Sequence, residues 1–329
     1  MKVEIFRRTV KDRKRGSSYD LLKYMEQGIK ACGDEPVMVN ENKSGPTTEG
    51  EMDPTTPIVC MFGYGGTNQR HHTKGRRLEL VEKAKAKDIK VITFDGGLLS
   101  SFGNVSTYPN HYWRVSLYSP MNNGDFLSND SPDDRWQMLK NEFKINYQPW
   151  RDSSPDDPIL FVLQPKDNWS MNELDPIVWF KDVYEKLRPL TNRKFIARPH
   201  PNHVDAISQR INEFPEDVEI AIGQKHFSGD EKKFYRFNFQ DAIANCHAVV
   251  THNSTASTDS CIRGIPTFCT SDLALCWDVC NKDLTKIETP DKPDRQQWLN
   301  DLGYKLWSTE EIKSGKVFKR FKEKLNISL

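Results

Sequence analysis

Twice along the chain, short apolar runs of strand length alternate with stretches of helical periodicity. The two series are separated by a proline- and aspartate-rich segment that suits neither. The first series reads as strands at 2–6, 36–40, 57–63 and 90–94, with helices at 18–32 and 74–87. Ser17 or Ser18 caps the first helix and Gly33 follows its end. The order strand–helix–strand implies a parallel sheet with helices on its faces. Residues 98–131 are irregular apart from a strand at 112–118, and 132–143 suits a helix. Residues 148–158 read as a linker. The second series has strands at 159–163, 194–197, 218–222, 248–252 and 266–270. Its helices are expected at 175–187, 204–214, 239–245, after Ser254, and at 309–324. A length of 329 residues suits two such domains. The expected division is 1–150 and 151–329, with the last helix able to pack back on the first domain.

Composition narrows the classes of function. The net charge of +1 gives no global field for a nucleic-acid partner, so any basic patch must be local. No apolar run reaches the length of a transmembrane segment. The N-terminus reads as a short strand followed by basic residues, the wrong order for a signal peptide. A cytoplasmic protein is expected. The seven cysteines contain no Cys-x-x-Cys pair, Cys276 and Cys280 being four apart. Reduced thiols and no metal site are the expectation.

Chemistry concentrates at the ends of strands. In Val249-Val250-Thr251-His252-Asn253-Ser254-Thr255-Ala256-Ser257-Thr258-Asp259, a β-branched run breaks into a polar turn that opens a helix. Gly264-x-Pro266 closes that helix. Such a turn offers backbone N–H groups and hydroxyls to an anion. Asp259 could reach a sugar hydroxyl, or could serve only as a carboxylate favouring the helix N-terminus. In Ala197-Arg198-Pro199-His200-Pro201-Asn202, two prolines stiffen the turn that presents His200, which can donate to a phosphate oxygen. Gln164 and Lys166 follow the first strand of the same half. Asp95, with Gly96 and Gly97 behind it, ends a strand of the first half. It is the candidate general base for deprotonating a hydroxyl acceptor, against the alternative of an ordinary Asp-Gly turn. The glycine-rich turn 61–68, which includes Gly65, lacks the Gly-Lys-Ser or Gly-Lys-Thr of a P-loop.

Asp95-Gly96, His200-Pro201 and Ser254-Thr255, in that order, resemble the three signatures of bacterial sialyltransferases and related capsule-type glycosyltransferases. These enzymes have the GT-B fold: two Rossmann-like α/β domains whose parallel sheets face a central cleft. The resemblance covers motif order and fold plan, and this chain has Phe94 where the family often carries a second acidic residue. It implies an inverting, metal-independent glycosyltransferase that uses a UDP- or CMP-linked sugar and no other cofactor. It further implies that His200, with Arg198 and Pro201 beside it, contacts the donor phosphate. Ser254 and Thr255 would bind phosphate oxygens, Asp259 the ribose, and Asn253 and Ser257 would line the same pocket.

Two basic clusters follow strands of the first half: one at 7–15, which includes Arg13 and Arg15, and one at 70–77, which includes Arg70 and Arg76. With Gly65 and Gly96 they form the expected acceptor side, and they suit a polyanion. By fold plan the chain is also similar to T-even phage DNA glucosyltransferases. The acceptor favoured on this reading is a hydroxymethylated base in duplex DNA, flipped out to reach Asp95, in a host cytoplasm if the chain is phage-encoded. An anionic capsule or lipopolysaccharide glycan is the alternative. A nucleotide-sugar epimerase using His252 and Asp95, and a non-enzymatic DNA-binding protein, are the remaining readings.

Overall fold

A computed structural model describes residues 1–8, 17–41, 52–63, 76–99, 102, 112–166, 168–222, 224–227, 233–236 and 239–327. The chain forms two compact units. One comprises Met1–Lys144 and Leu299–Leu329, the other Ile145–Trp298. The segment 148–158 that reads as a linker therefore belongs to the second unit.

The first unit opens with β1 (Lys2–Arg8), α1 (Ser17–Ala31), β2 (Glu35–Glu41), β3 (Ile58–Phe62), α2 (Arg76–Ala86), β4 (Lys90–Gly96), β5 (Tyr112–Leu117) and α3 (Asp134–Glu142). The second unit adds β6 (Ile159–Val162), α4 (Pro176–Leu187), β7 (Phe195–Arg198), α5 (Val204–Ser208) and β8 (Val218–Ile220). A hairpin of β9 (Gln224–Phe227) and β10 (Lys233–Arg236) follows, then α6 (Phe239–Ile243), β11 (Ala248–Thr251), α7 (Ala256–Ile262) and β12 (Thr267–Cys269). Helix α8 (Gln296–Lys305) carries the chain back to the first unit, where β13 (Leu306–Ser308), α9 (Thr309–Lys313) and α10 (Lys316–Lys324) lie.

The first sheet runs β13-β5-β4-β3-β1-β2. Strands β1 to β4 are parallel, while β5 and β13 join antiparallel. Val91, Ile92, Thr93 and Phe94 of β4 are all buried, as expected of a strand covered on both faces. On one face Ile5, Cys60, Phe94 and Trp113 pack with Leu21, Met25 and Ile29 of α1 and with Phe318 and Phe321 of α10. On the other, Phe6, Val59, Met61 and Val91 meet Val81 and Ala84 of α2. Gly28 lets α1 approach closely, since a Cβ there would lie 2.0 Å from the Ile312 carbonyl oxygen.

Two expected elements differ. The helix 309–324 is broken at Gly315, which has φ +80°, a conformation suited to glycine. A capping box between Ser308 and Glu311 starts its first piece. The helix 204–214 stops at Ser208 and continues as a 3-10 turn, Ile211–Glu213, ahead of Phe214-Pro215, where the pre-proline residue is extended. The sequence reading did not anticipate α8, β13 or the β9–β10 hairpin.

The returning segment is fastened by Arg135. Its guanidinium donates to Glu311 at 2.6 and 3.0 Å, to the Leu306 carbonyl at 2.6 Å and to the Gly303 carbonyl at 3.1 Å. It also stacks 4.0 Å from the centre of the Trp307 ring. Among the described residues, no helix is long and apolar enough to cross a membrane.

Candidate functional site

The second unit's five-stranded sheet runs β12-β11-β6-β7-β8, all parallel. From β6 the chain builds outward to β7 and β8; it then returns to the other side for β11 and β12. The strand order thus reverses between β6 and β11, and in open α/β sheets ligands bind at the carboxyl ends beside such a switch point. The segments after β6, β7, β11 and β12 all leave from that edge.

Gln164 and Asn253 bridge the switch point. Gln164 Nε2 donates to Asn253 Oδ1 at 2.8 Å, and the Asn253 backbone N–H donates to Gln164 Oε1 at 2.9 Å. Asn253 Nδ2 donates to the Ser170 carbonyl at 2.9 Å, and Gln164 Nε2 to Ser170 Oγ at 3.2 Å. Both side chains are buried. Their polar groups are used within the protein, so the pair forms a floor under the turn. The sequence singled out both residues without indicating that they bind each other.

On this floor the turn continues into α7, a helix of seven residues. Ser254 Oγ accepts from the Ala256 N–H at 3.3 Å, and the Ser254 carbonyl accepts from both the N–H and the hydroxyl of Ser257, at 3.0 and 2.5 Å. Ser257 is buried and Thr255 is exposed. Asp259 is buried on α7; desolvation lowers the pKa of Arg263 one turn on, and the charge of Asp259 offsets part of that. Gly264 has φ +74°, and a Cβ there would lie 1.9 Å from the Pro149 carbonyl oxygen.

Beside the turn, His252 Nδ1 lies 2.9 Å from Thr270 Oγ1, which accepts from Trp179 Nε1 at 2.8 Å. An indole only donates, so Thr270 Oγ1 accepts from Trp179 and keeps its proton and a second lone pair for the bond with Nδ1. Burial lowers the His252 pKa, favouring the neutral ring. The sequence offers no sign of this relay, because its members are far apart in the chain.

Arg198 ends β7 nearly buried, with its guanidinium 5.0 Å from the Phe239 ring centre. Desolvation lowers its pKa to about 10. His200 follows at the surface, and Pro201 opens a 3-10 turn in which the His203 N–H donates to the His200 carbonyl at 2.8 Å. The His200 pKa is lowered, first by desolvation of the ring and then by the charges of His203 and Arg198. Lys166 is exposed and pairs with Asp175 at 3.4 Å, a carboxylate shared with Arg210 at 2.8 Å. The structure thus engages Lys166 with the cap of α4.

In the first unit, Asp95 lies within β4, opposite Arg114 of β5. Asp95 Oδ1 accepts from the Gly96 N–H at 2.7 Å, and Oδ2 from Arg114 Nη2 at 3.2 Å. Buried Arg114 also donates to the Gly96 carbonyl at 2.7 Å and the Pro120 carbonyl at 2.9 Å. Gly96 has open space where a Cβ would stand. At Gly97 a Cβ would lie 2.2 Å from the Tyr112 carbonyl oxygen. On the neighbouring strand, Arg77 donates to the Phe62 carbonyl and caps the end of β3. Arg13, Arg15, Gly65 and Arg70 lie outside the described residues. Arg76 begins α2, with its side chain outside them. The basic clusters follow β1 and β3, which are adjacent strands.

A crevice of about 340 Å³ opens at the opposite, amino edge of the second sheet, lined by Arg151, Arg193, His247, Glu288 and Lys292. Arg193 pairs with Glu288 and Lys292 with Asp152, so its charges are met internally.

No protein-family model matches the chain, and no curated protein matches it significantly. Solved structures do. The chain is similar to a beta Kdo 2,4 transferase, KpsC of Thermosulfurimonas dismutans, at 15% identity over 92% of this chain and 90% of that one, with a TM-score of 0.51. A beta Kdo 2,7 transferase of the same KpsC aligns at 12% identity over 97% and 100%, with a TM-score of 0.48. An alpha-glucosyltransferase complexed with UDP and DNA containing an HMU base aligns at 11% identity over 99% of each chain, with a TM-score of 0.31. The first likeness establishes the fold: two Rossmann-like α/β units with mostly parallel sheets, of the GT-B type.

Proposed function

We propose that the chain is a glycosyltransferase that moves a sugar from a nucleotide-linked donor to a hydroxyl acceptor. The observation that carries this reading is the placement of the Gln164, His200 and Ser254 segments on one edge of one parallel sheet, around its switch point. His200 and Arg198 would meet the donor phosphate with Ser254 and Thr255. Gln164 and Asn253 would hold the turn from below. Ser257 and Pro201 would shape the turns, and Asp259 would serve the ribose or stabilise α7. The phosphate charge is then met by side chains and N–H groups, and the mechanism is metal-independent.

In the proposed reaction the acceptor oxygen attacks the anomeric carbon as its proton passes to Asp95. The sugar–phosphate bond breaks, the nucleotide leaves with the bonding electrons, and the configuration inverts. Arg114 would hold Asp95 by one oxygen, and the lone pairs of Asp95 not used in that pairing remain to take the proton.

For the acceptor we favour an anionic capsule-type glycan. Motif order and the likeness to a Kdo transferase both support it. The DNA reading rests on analogy of fold plan and on basic clusters most of whose residues, Arg13, Arg15 and Arg70 among them, lie outside the described residues.

A thermal-shift panel of UDP- and CMP-linked sugars, followed by transfer assays on anionic glycans and hydroxymethylated duplex DNA, tests the proposal. Stabilisation by one donor class and transfer to glycan are expected. Transfer to DNA would replace the acceptor, a new sugar stereoisomer formed from donor alone would replace transfer by epimerisation, and no stabilisation by any donor would overturn the reading.

A further inference from the structure

Three of the seven cysteines, which form no Cys-x-x-Cys pattern, come together at the end of β12. Cys269 ends β12. The chain then makes a loop of turns and comes back beside the strand: Cys269 N–H donates to the Asn281 carbonyl at 3.0 Å, and Asn281 N–H to the Thr267 carbonyl at 2.7 Å. Within that loop the N–H groups of Val279 and Cys280 both donate to the Cys276 carbonyl at 2.9 Å. That single helical turn sets Cys276 and Cys280 on one side. The Sγ atoms of Cys269, Cys276 and Cys280 all lie within 4.8 Å of one another.

We propose that Cys269, Cys276 and Cys280 bind one thiophilic d10 metal ion, zinc or copper(I). The Cys269 and Cys276 sulfurs are 3.7 Å apart. Two thiolates on one zinc ion, at Zn–S of about 2.3 Å, stand about 3.8 Å apart in tetrahedral geometry. A disulfide would instead require about 2.05 Å. Sulfur ligands select these ions over the harder cations that oxygen ligands favour. Binding displaces three thiol protons, so affinity rises with pH. Three thiolates on zinc leave one net negative charge, and Lys282 lies two residues from Cys280 in the chain. Cys280 is 8% exposed while Cys269 and Cys276 are almost sealed, so an ion would enter past Cys280.

The site would anchor a loop that supports the candidate donor turn. Thr270, which follows Cys269, carries the hydrogen bonds to His252 and Trp179, and Ser271 Oγ accepts from Asn253 Nδ2 at 3.4 Å. The proposal itself does not depend on sugar transfer.

The test is elemental analysis of the full chain purified under reducing conditions, followed by reconstitution with zinc or copper(I). About one equivalent of metal per chain is expected, and elemental analysis distinguishes the two ions. Cobalt(II) substitution should give a thiolate-to-cobalt charge-transfer band. Cys280→Ser, at the rim, should weaken that band and lower metal affinity, whereas Cys60→Ser should leave both unchanged. If Cys280→Ser does not fold, the cobalt band of the unaltered protein still decides. Failure to take up either ion after reduction would overturn the proposal. So would a denatured thiol count two short of seven, which indicates a disulfide.

Discussion

Arg114 faces Asp95 across adjacent antiparallel strands, its Nη2 3.2 Å from Asp95 Oδ2. The same guanidinium holds the Gly96 carbonyl, so one buried cation fixes both the carboxylate and the backbone that follows it. Asp95→Asn should lower transfer by at least about 100-fold, the usual scale of general-base catalysis, with donor binding preserved. Arg114→Lys cannot reproduce the fork and should also lower kcat. Steady-state kinetics beside donor titration checks both. Full activity of Asp95→Asn would remove Asp95 from the mechanism.

The two glycines behind Asp95 should respond differently. Gly97→Ala drives a Cβ into the Tyr112 carbonyl and should cost about 1–3 kcal/mol of stability. Gly96→Ala meets open space and should leave the melting temperature nearly unchanged. A fall in transfer for Gly96→Ala without loss of stability would mark the place where the acceptor approaches.

His200 should couple donor binding to pH. Its pKa is lowered, so near neutral pH the ring is uncharged. As pH falls through its titration the ring gains a proton, and affinity for a phosphate should rise. A nucleotide sugar is a suitable probe, because its diester phosphates do not titrate there. In His200→Ala the pH dependence should flatten; calorimetric titrations at several pH values would show whether it does.

The Gln164–Asn253 floor predicts a stability effect. Asn253→Ala removes the bond from Gln164 Nε2 to Asn253 Oδ1 and the donor to the Ser170 carbonyl, while the backbone N–H to Gln164 Oε1 stays, and should cost about 1–3 kcal/mol. Denaturant melts of the two single variants and the double variant should show coupling of about 1 kcal/mol. Strict additivity would show that the two amides do not act together.

Glu311 should contribute to acid stability. Desolvation raises its pKa, but hydrogen bonding and charge from Arg135, with help from Lys316, outweigh it and hold the pKa at about 2. The usual value is about 4.3, so the difference corresponds to about 3 kcal/mol at neutral pH. That stability is present above the unfolded pKa and is lost as pH falls from about 4.3 toward 2. Glu311→Gln should lower stability at pH 7 and flatten this limb, as read from urea melts against pH.

The strands of both units were legible because buried parallel strands are continuous apolar runs, as in Ile159–Val162 and Ala248–Thr251. The candidate turns were legible because they follow such runs directly. Partnership was not. Arg114 sits in a strand whose other residues are also buried, and nothing in Tyr112–Leu117 says which acid it meets. Lys166 looked like a cleft lysine, but its distance to Asp175 depends on how α4 packs. The three clustered thiols gave no spacing signal, since only the return of Asn281 to β12 brings them together. Strand β13 is three residues long, too short to show a period.

The second unit is one uninterrupted stretch, whereas the first is made of two pieces that enclose it in sequence. During synthesis the first unit therefore starts before the second and is completed after it. Until residues 299–329 emerge, β5 has an open edge, Arg135 lacks Glu311, and the place of Trp307 is empty. Meanwhile the sheet from β6 to β12 is already whole. A fragment spanning 145–298 should fold alone and reveal whether it binds a nucleotide, whereas a fragment ending at 144 should expose its unpaired strand and aggregate.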